Sequence, residues 1–126
     1  MSSSPLDQGI QQFNQQDFYA CHDTLEAIWM EATEGERNFY QGILQIAVAC
    51  YHLSNHNWRG TVTLLGEGTR RLRSYQPDYE GVNVSQLLAD SLDLLSQVQQ
   101  ITPEAIPQWV QTTPYPKIYP VHADSP

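Results

Sequence analysis

Apolar residues recur along the chain at helical spacing, in five blocks separated by short polar breaks. Leu6, Ile10 and Phe13 stand three and four apart after Ser4-Pro5, a serine cap with proline in the first turn, so a short first helix should stop by Gln15. Asp17 can cap a second helix, about Asp17 to Ala32, with Phe18, Leu25 and Trp29 as its stripe. Thr33-Glu34-Gly35 reads as a break, and a third helix should run from about Glu36 to Ser54, with an acid in its first turn. After Asn55-His56-Asn57, the residues Trp58, Val62, Leu65, Thr69 and Leu72 mark a fourth helix that reaches Tyr75 before Pro77. Gly60, Gly66 and Gly68 weaken that helix, each by up to about 1 kcal/mol relative to Ala, which points to a close neighbour or a frayed end. Asn83 can cap a fifth helix carrying Val84, Leu87, Leu88, Ser91, Leu94, Leu95 and Val98.

Beyond Thr102 the chain holds six of its eight prolines. Thr102-Pro103-Glu104 resembles a cap with one or two helical turns. Pro114, Pro116 and Pro120 then exclude regular helix, and Tyr115, Ile118 and Tyr119 are the residues expected to pin the tail. No stretch alternates with period two for long enough to make a strand. The expected fold is therefore all-α: an antiparallel bundle of about five helices over residues 1–101, with residues 102–126 a proline-rich tail packed on the same domain.

Composition narrows the partners. The 126 residues include six Lys and Arg against 14 Asp and Glu, a net charge of −8, which argues against nucleic acid and anionic membranes. No apolar run approaches the roughly 18 residues of a membrane-spanning helix, and the start of the chain lacks a signal-peptide pattern. Cys21 and Cys50 are too few for a disulfide framework, so a cytoplasmic location is expected and the two thiols read as small buried hydrophobes.

A helical wheel singles out candidate chemistry. With His22 at zero, Phe18 lies at about −40°, Leu25 at −60°, Trp29 at −20° and Glu26 at +40°. His22 and Glu26 thus fall within the apolar stripe, and a buried Glu26 would need a partner, a metal or a proton. Arg37 could supply the cation. On the third helix Gln41, Gln45 and His52 share one polar row on a helix that is apolar almost all round, so the row is expected to face an interior pocket. If the two rows meet, His22, Glu26, Trp29, Arg37, Gln41, Gln45 and His52 enclose one pocket.

At this point the residues resemble a known family. Phe13-Asn14, then Phe18 to Trp29 with its His-x-x-x-Glu-x-x-Trp, then Glu36 to Gln45 with its Gln-Gly-x-x-Gln, then His52, Asn57 and Gly60, look like domain-of-unknown-function family 309. Tyr79-Glu80-Gly81-Val82 resembles its later motif, which extends the likeness over roughly Leu6 to Val98. The resemblance implies a small all-helical bundle and names no activity. The chain departs from the family pattern at Asp23, where the family usually has Glu. Asp23 lies about 100° from His22 and so outside the expected ligand row.

Two classes of function follow. In the first, the His/Glu/Gln cluster is a buried hydrogen-bond network in a structural or interaction module without a cofactor, one that could engage a protein partner or form a homodimer. In the second, His22, Glu26 and His52 hold zinc, iron or manganese, with Gln41 and Gln45 behind them, in a metal- or small-ligand-binding protein of hydrolase type. An acid–base pocket without metal is a third option, but no nucleophile stands beside it: Cys21 is about 100° from His22. Whether the protein is an enzyme stays open at this level. Arg70, Arg71 and Arg73 read as cations complementing a helix C-terminus rather than as a phosphate site. Trp58 and Trp109 read as core and tail anchors. His56 and His122 stand outside both rows.

Overall fold

The structure is a computed structural model and describes residues 4–121, so His122 lies outside the described residues. It is all-α apart from one small hairpin. The helices are α1 (Pro5–Asn14), α2 (Phe18–Glu31), α3 (Glu34–Ser54), α4 (Trp58–Leu72), α5 (Val84–Gln99) and the short α6 (Ile106–Trp109).

Local chemistry sets most boundaries. Ser4 accepts from the Asp7 amide while Asp7 reaches back to the Ser4 amide, a reciprocal cap with Pro5 in the first turn. Asn57 and Asn83 cap α4 and α5 by accepting from the Gly60 and Gln86 amides. Asp17 holds the cap position of α2, but its side chain makes no cap bond. α2 ends because Ala32 and Thr33 are extended, and α3 begins at Glu34. Gly35 therefore sits inside the first turn of α3 and does not break the chain, correcting the expected start at Glu36. The extended pair is what makes the break. The end of the fourth helix tightens into a 3₁₀ turn over Arg73–Tyr75, whose Tyr75 hydroxyl donates to the Gly35 carbonyl at 2.8 Å.

The hairpin is the element that periodicity missed. Strands β1 (Asp78–Tyr79) and β2 (Val82–Asn83) pair antiparallel, Tyr79 opposite Val82. They are joined by Glu80 and Gly81 at φ 51° and 77°, the left-handed pair of a two-residue turn. Two-residue strands are too short to show alternation. Tyr79 packs tilted against Phe39 and edge-on against Tyr75, with ring centroids 4.8 and 4.7 Å away.

α3 is the central helix: Phe39, Ile43, Ile46, Ala47, Ala49, Cys50 and Leu53 are all fully buried. It packs on α2 at one side and on α4 at the other, while α1 covers α2 and α5 covers α4. The α3–α4 crossing runs through Gly42 and Gly68, and the first turn of α4 passes over the His52 ring at Gly60; Gly66 faces open space. Trp58 anchors α4 to the end of α5 by donating to the Val98 carbonyl at 2.9 Å. The proline-rich segment lies along the bundle. Asn14 exchanges two hydrogen bonds with the Ile118 backbone, Ile118 is buried, Tyr115 packs on Phe18, and the Tyr119 carbonyl accepts from Asn83. The Tyr119 side chain, by contrast, is exposed, so it is the backbone of that residue that holds the tail.

Both cysteines are free and buried. Burial, with Asp17 nearby, pushes the Cys21 thiol from 9.0 up to about 12, and burial with Cys21 pushes Cys50 higher still. A raised acid pKa favours the protonated group in the folded state. The associated stability is present below about pH 9, where both states hold the proton, and is lost as pH rises toward the folded values. Native protein at pH 8 should therefore leave both thiols unreacted with a disulfide reagent, and the denatured chain should expose two. Chemical melts should show stability falling between pH 9 and 12.

Candidate functional site

α2 carries its chemistry on the edge of its buried face. Cys21, Leu25 and Phe18 are the buried residues of this helix, which centres the buried stripe at about −65° on the wheel used above. His22 then falls at the rim, half-buried, and Glu26 lies about 100° from the centre, exposed. The expectation that Glu26 is enclosed in the apolar stripe is thus corrected. Trp29 widened the stripe toward Glu26 on the wheel, but Trp29 is itself only half-buried. Glu26→Gln should accordingly change the stability of the metal-free protein by no more than about 0.5 kcal/mol in a urea melt, as for other exposed substitutions.

The residues brought together are His22, Asp23 and Glu26. One ligand atom from each lies within 4.8 Å of the others. His22 Nδ1 stands 3.2 Å from Asp23 Oδ1. On a wheel Asp23 falls outside the ligand row, because a wheel treats side chains as radial spokes. An exposed aspartate is free to fold along the surface toward the neighbouring ring.

His52 is not part of this triad. It lies across a narrow cleft of about 150 Å³ that His22 and His52 share with Phe18, Tyr19, Val48 and Tyr51. Tyr19 stacks on His22 at 6.3 Å and meets Tyr51 at a tilt at 5.8 Å, giving a partly exposed aromatic row between α2 and α3. Tyr19 and Tyr51 carry no sequence signal, because nothing in an isolated helix pattern marks two exposed tyrosines as neighbours. The His52 ring is also held by the α3–α4 joint: its Nδ1 accepts from the Asn57 amide at 3.3 Å, and a methyl group on Gly60 would lie 2.8 Å from the ring. The His52, Asn57 and Gly60 of the family resemblance thus form one structural joint.

The remaining candidates separate. Arg37 does not reach Glu26. Its guanidinium lies 4.9 Å from the centre of the Trp29 ring and donates to the Met30 carbonyl. The Trp29 indole N–H is buried without a hydrogen-bond partner among the described residues. Gln45 is buried, but in a network toward α4. Its amide donates to Glu67 at 3.0 Å and accepts from Arg71 at 3.0 Å, and Arg71 also donates to Asn38. Gln41 is half-buried on the same row, and neither glutamine lines the His22–His52 cleft. The single enclosed pocket expected from the sequence is therefore two separate features: a surface triad beside an aromatic cleft, and a part-buried network along the α3–α4 seam.

The fold and this surface define a small all-α bundle presenting an imidazole and two carboxylates from one stretch of helix. Residues 6–64 match the model of the family described as "Domain of unknown function (DUF309)", the family the motifs resemble. The match contains the triad, the aromatic cleft and the His52 joint, and it ends before the hairpin. A curated relative, "Uncharacterized protein YpuF" of Bacillus subtilis (strain 168), is 28% identical over 89 residues, covering 68% of this chain and 51% of the relative. The chain thus spans about half the length of that relative. No helix among the described residues is long and apolar enough to cross a membrane.

Proposed function

We propose that the protein binds a divalent cation through His22, Asp23 and Glu26, with the adjoining aromatic cleft as the seat of a small organic ligand. The observation that supports this reading is the convergence of the three ligand atoms within 4.8 Å. A tetrahedral ion with bonds of about 2.1 Å needs donors about 3.4 Å apart. The His22–Asp23 pair already stands at 3.2 Å, and the exposed Asp23 and Glu26 side chains have the rotamer freedom to close the rest. One imidazole and two carboxylates suit zinc, iron and manganese. Three protein ligands leave coordination positions open, and His22 is common to the triad and the cleft. An ion held by His22, Asp23 and Glu26 with open positions would lower the pKa of bound water, so metal-assisted hydrolysis is the reaction class this reading implies. Gln45, Glu67 and Arg71 satisfy one another across the α3–α4 seam, with Glu67 and Arg71 half-buried, and carry a structural role in this account. Two buried free thiols support a reducing compartment such as the cytoplasm.

Titration calorimetry on tag-free protein with zinc, manganese and ferrous ion tests the reading. One equivalent should bind. At a hundredfold excess over Kd the fold should gain about 2.7 kcal/mol. Glu26→Gln and His22→Ala should remove the binding heat. Absence of heat with all three ions, or binding that persists in both variants, would overturn it.

A further inference from the structure

The opposite side of α2 faces a groove that plays no part in the cation reading. It has a volume of about 530 Å³, within the range of ligand-binding clefts, and its floor is Pro5, Ala27, Ile28, Ala32 and Tyr40. A second hollow of about 260 Å³ continues from it and shares Pro5, Ile28 and Tyr40. None of His22, Asp23 or Glu26 lines either hollow.

The rim is acidic. Glu31 and Glu36 line the first hollow, Asp7 and Glu80 the second, and no Lys, Arg or His lines either. Asp7 is engaged in the α1 cap. Glu31, Glu36 and Glu80 make no ion pair among the described residues. They stand on three different elements, α2, α3 and the turn of the hairpin, where Glu80 is held in a left-handed conformation. Tyr40 lies between them, 7% exposed, and no hydrogen bond among the described residues involves its hydroxyl. Burial together with Glu80 and Glu36 raises the Tyr40 hydroxyl to about 12, so it remains a neutral donor. An apolar floor ringed by carboxylates without cations lacks its complement. A second copy of a chain with net charge −8 is a poor source of it.

We propose that this groove docks a basic amphipathic segment of a partner protein, with an apolar anchor on Ile28 and Tyr40 and Lys or Arg on Glu31, Glu36 and Glu80. Charges at three separate points around two connected hollows match a segment with cations on both sides of its anchor. The Tyr40 hydroxyl is placed to donate to that segment.

The test uses a fluorescent helical peptide of about twelve residues built from Leu and Lys, and the same peptide with Glu in place of Lys, read by anisotropy. The Lys peptide should bind and the Glu peptide should not. Ala27→Arg, at an exposed floor position, and Glu31→Gln with Glu36→Gln should each weaken binding by about tenfold or more. Asp90→Asn with Asp93→Asn, on α5, should change it by less than about twofold. Circular dichroism confirms the fold of each variant. Absence of binding at millimolar peptide, or equal weakening by the α5 pair, would overturn the proposal. So would displacement of the peptide by spermidine at equal concentration, which makes the groove a polyamine site, or its occlusion in a homodimer.

Discussion

Gly68→Ala is expected to destabilise the protein by about 2–4 kcal/mol, while Gly66→Ala on the same helix is expected to stabilise it by up to about 1 kcal/mol. The two differ only in what lies outside the helix. A methyl group on Gly68 would stand 2.8 Å from the Gly42 carbonyl oxygen, 2.8 Å from Ile46 Cγ1 and 3.2 Å from the Ile46 amide nitrogen. Two of those atoms are backbone of α3, so relief requires the helices to part along their whole crossing. The loss then extends to the buried contacts of Ile43, Ile46, Leu65 and Leu72. At Gly66 a methyl group meets nothing within 4 Å, leaving only the gain in helix propensity. Urea melts of the two variants measure both effects. Equal behaviour of the pair would contradict the close crossing of α3 and α4.

Asn14→Ala should cost about 2–3 kcal/mol, although Asn14 lies at the last position of a surface helix. Its amide donates to the Ile118 carbonyl at 2.8 Å and its oxygen accepts from the Ile118 amide at 2.7 Å, so one side chain stands in for a partner strand. Truncation strands both backbone groups beside a buried side chain, since Ile118 is 1% exposed. Ile118→Ala should itself cost about 2–5 kcal/mol. Both changes release the same segment, so the double variant should lose clearly less than the sum of the single losses. Strict additivity in denaturant melts would show that the asparagine does not hold the tail.

These two sites mark the limits of the sequence. Helix positions were legible wherever a cap and a stripe agreed, as at Ser4-Pro5 and Asn83. Three glycines in α4 signalled a close neighbour, but which of them meets it depends on the phase of the crossing, and that phase is a property of two helices. Asn14 stood among the family-like residues, yet its partner is 104 positions away, beyond the reach of any local pattern. The hairpin escaped because its turn uses Glu80-Gly81 and its strands are two residues long.

The site shows the same division. The wheel selected His22 and Glu26 from their spacing, and both belong to the triad. Its depth is wrong because Trp29 is only half-buried, and it leaves out Asp23 because a radial projection has no side-chain length. The Gln41–Gln45–His52 row is real on α3, but it faces α4 through Gln45 and the α4 cap through His52. Which neighbour a polar row meets is decided by packing. The charge pattern is not legible along the chain: Glu31, Glu36 and Glu80 are scattered in sequence, and only the fold draws them around Tyr40.

The most direct measurement is diffraction at the zinc absorption edge from crystals of the tag-free protein soaked in zinc. The account predicts a single anomalous peak about 2.0–2.2 Å from ligand atoms of His22, Asp23 and Glu26. A map with no peak at those three side chains, or with the ion held by His52 or His56 instead, would contradict it.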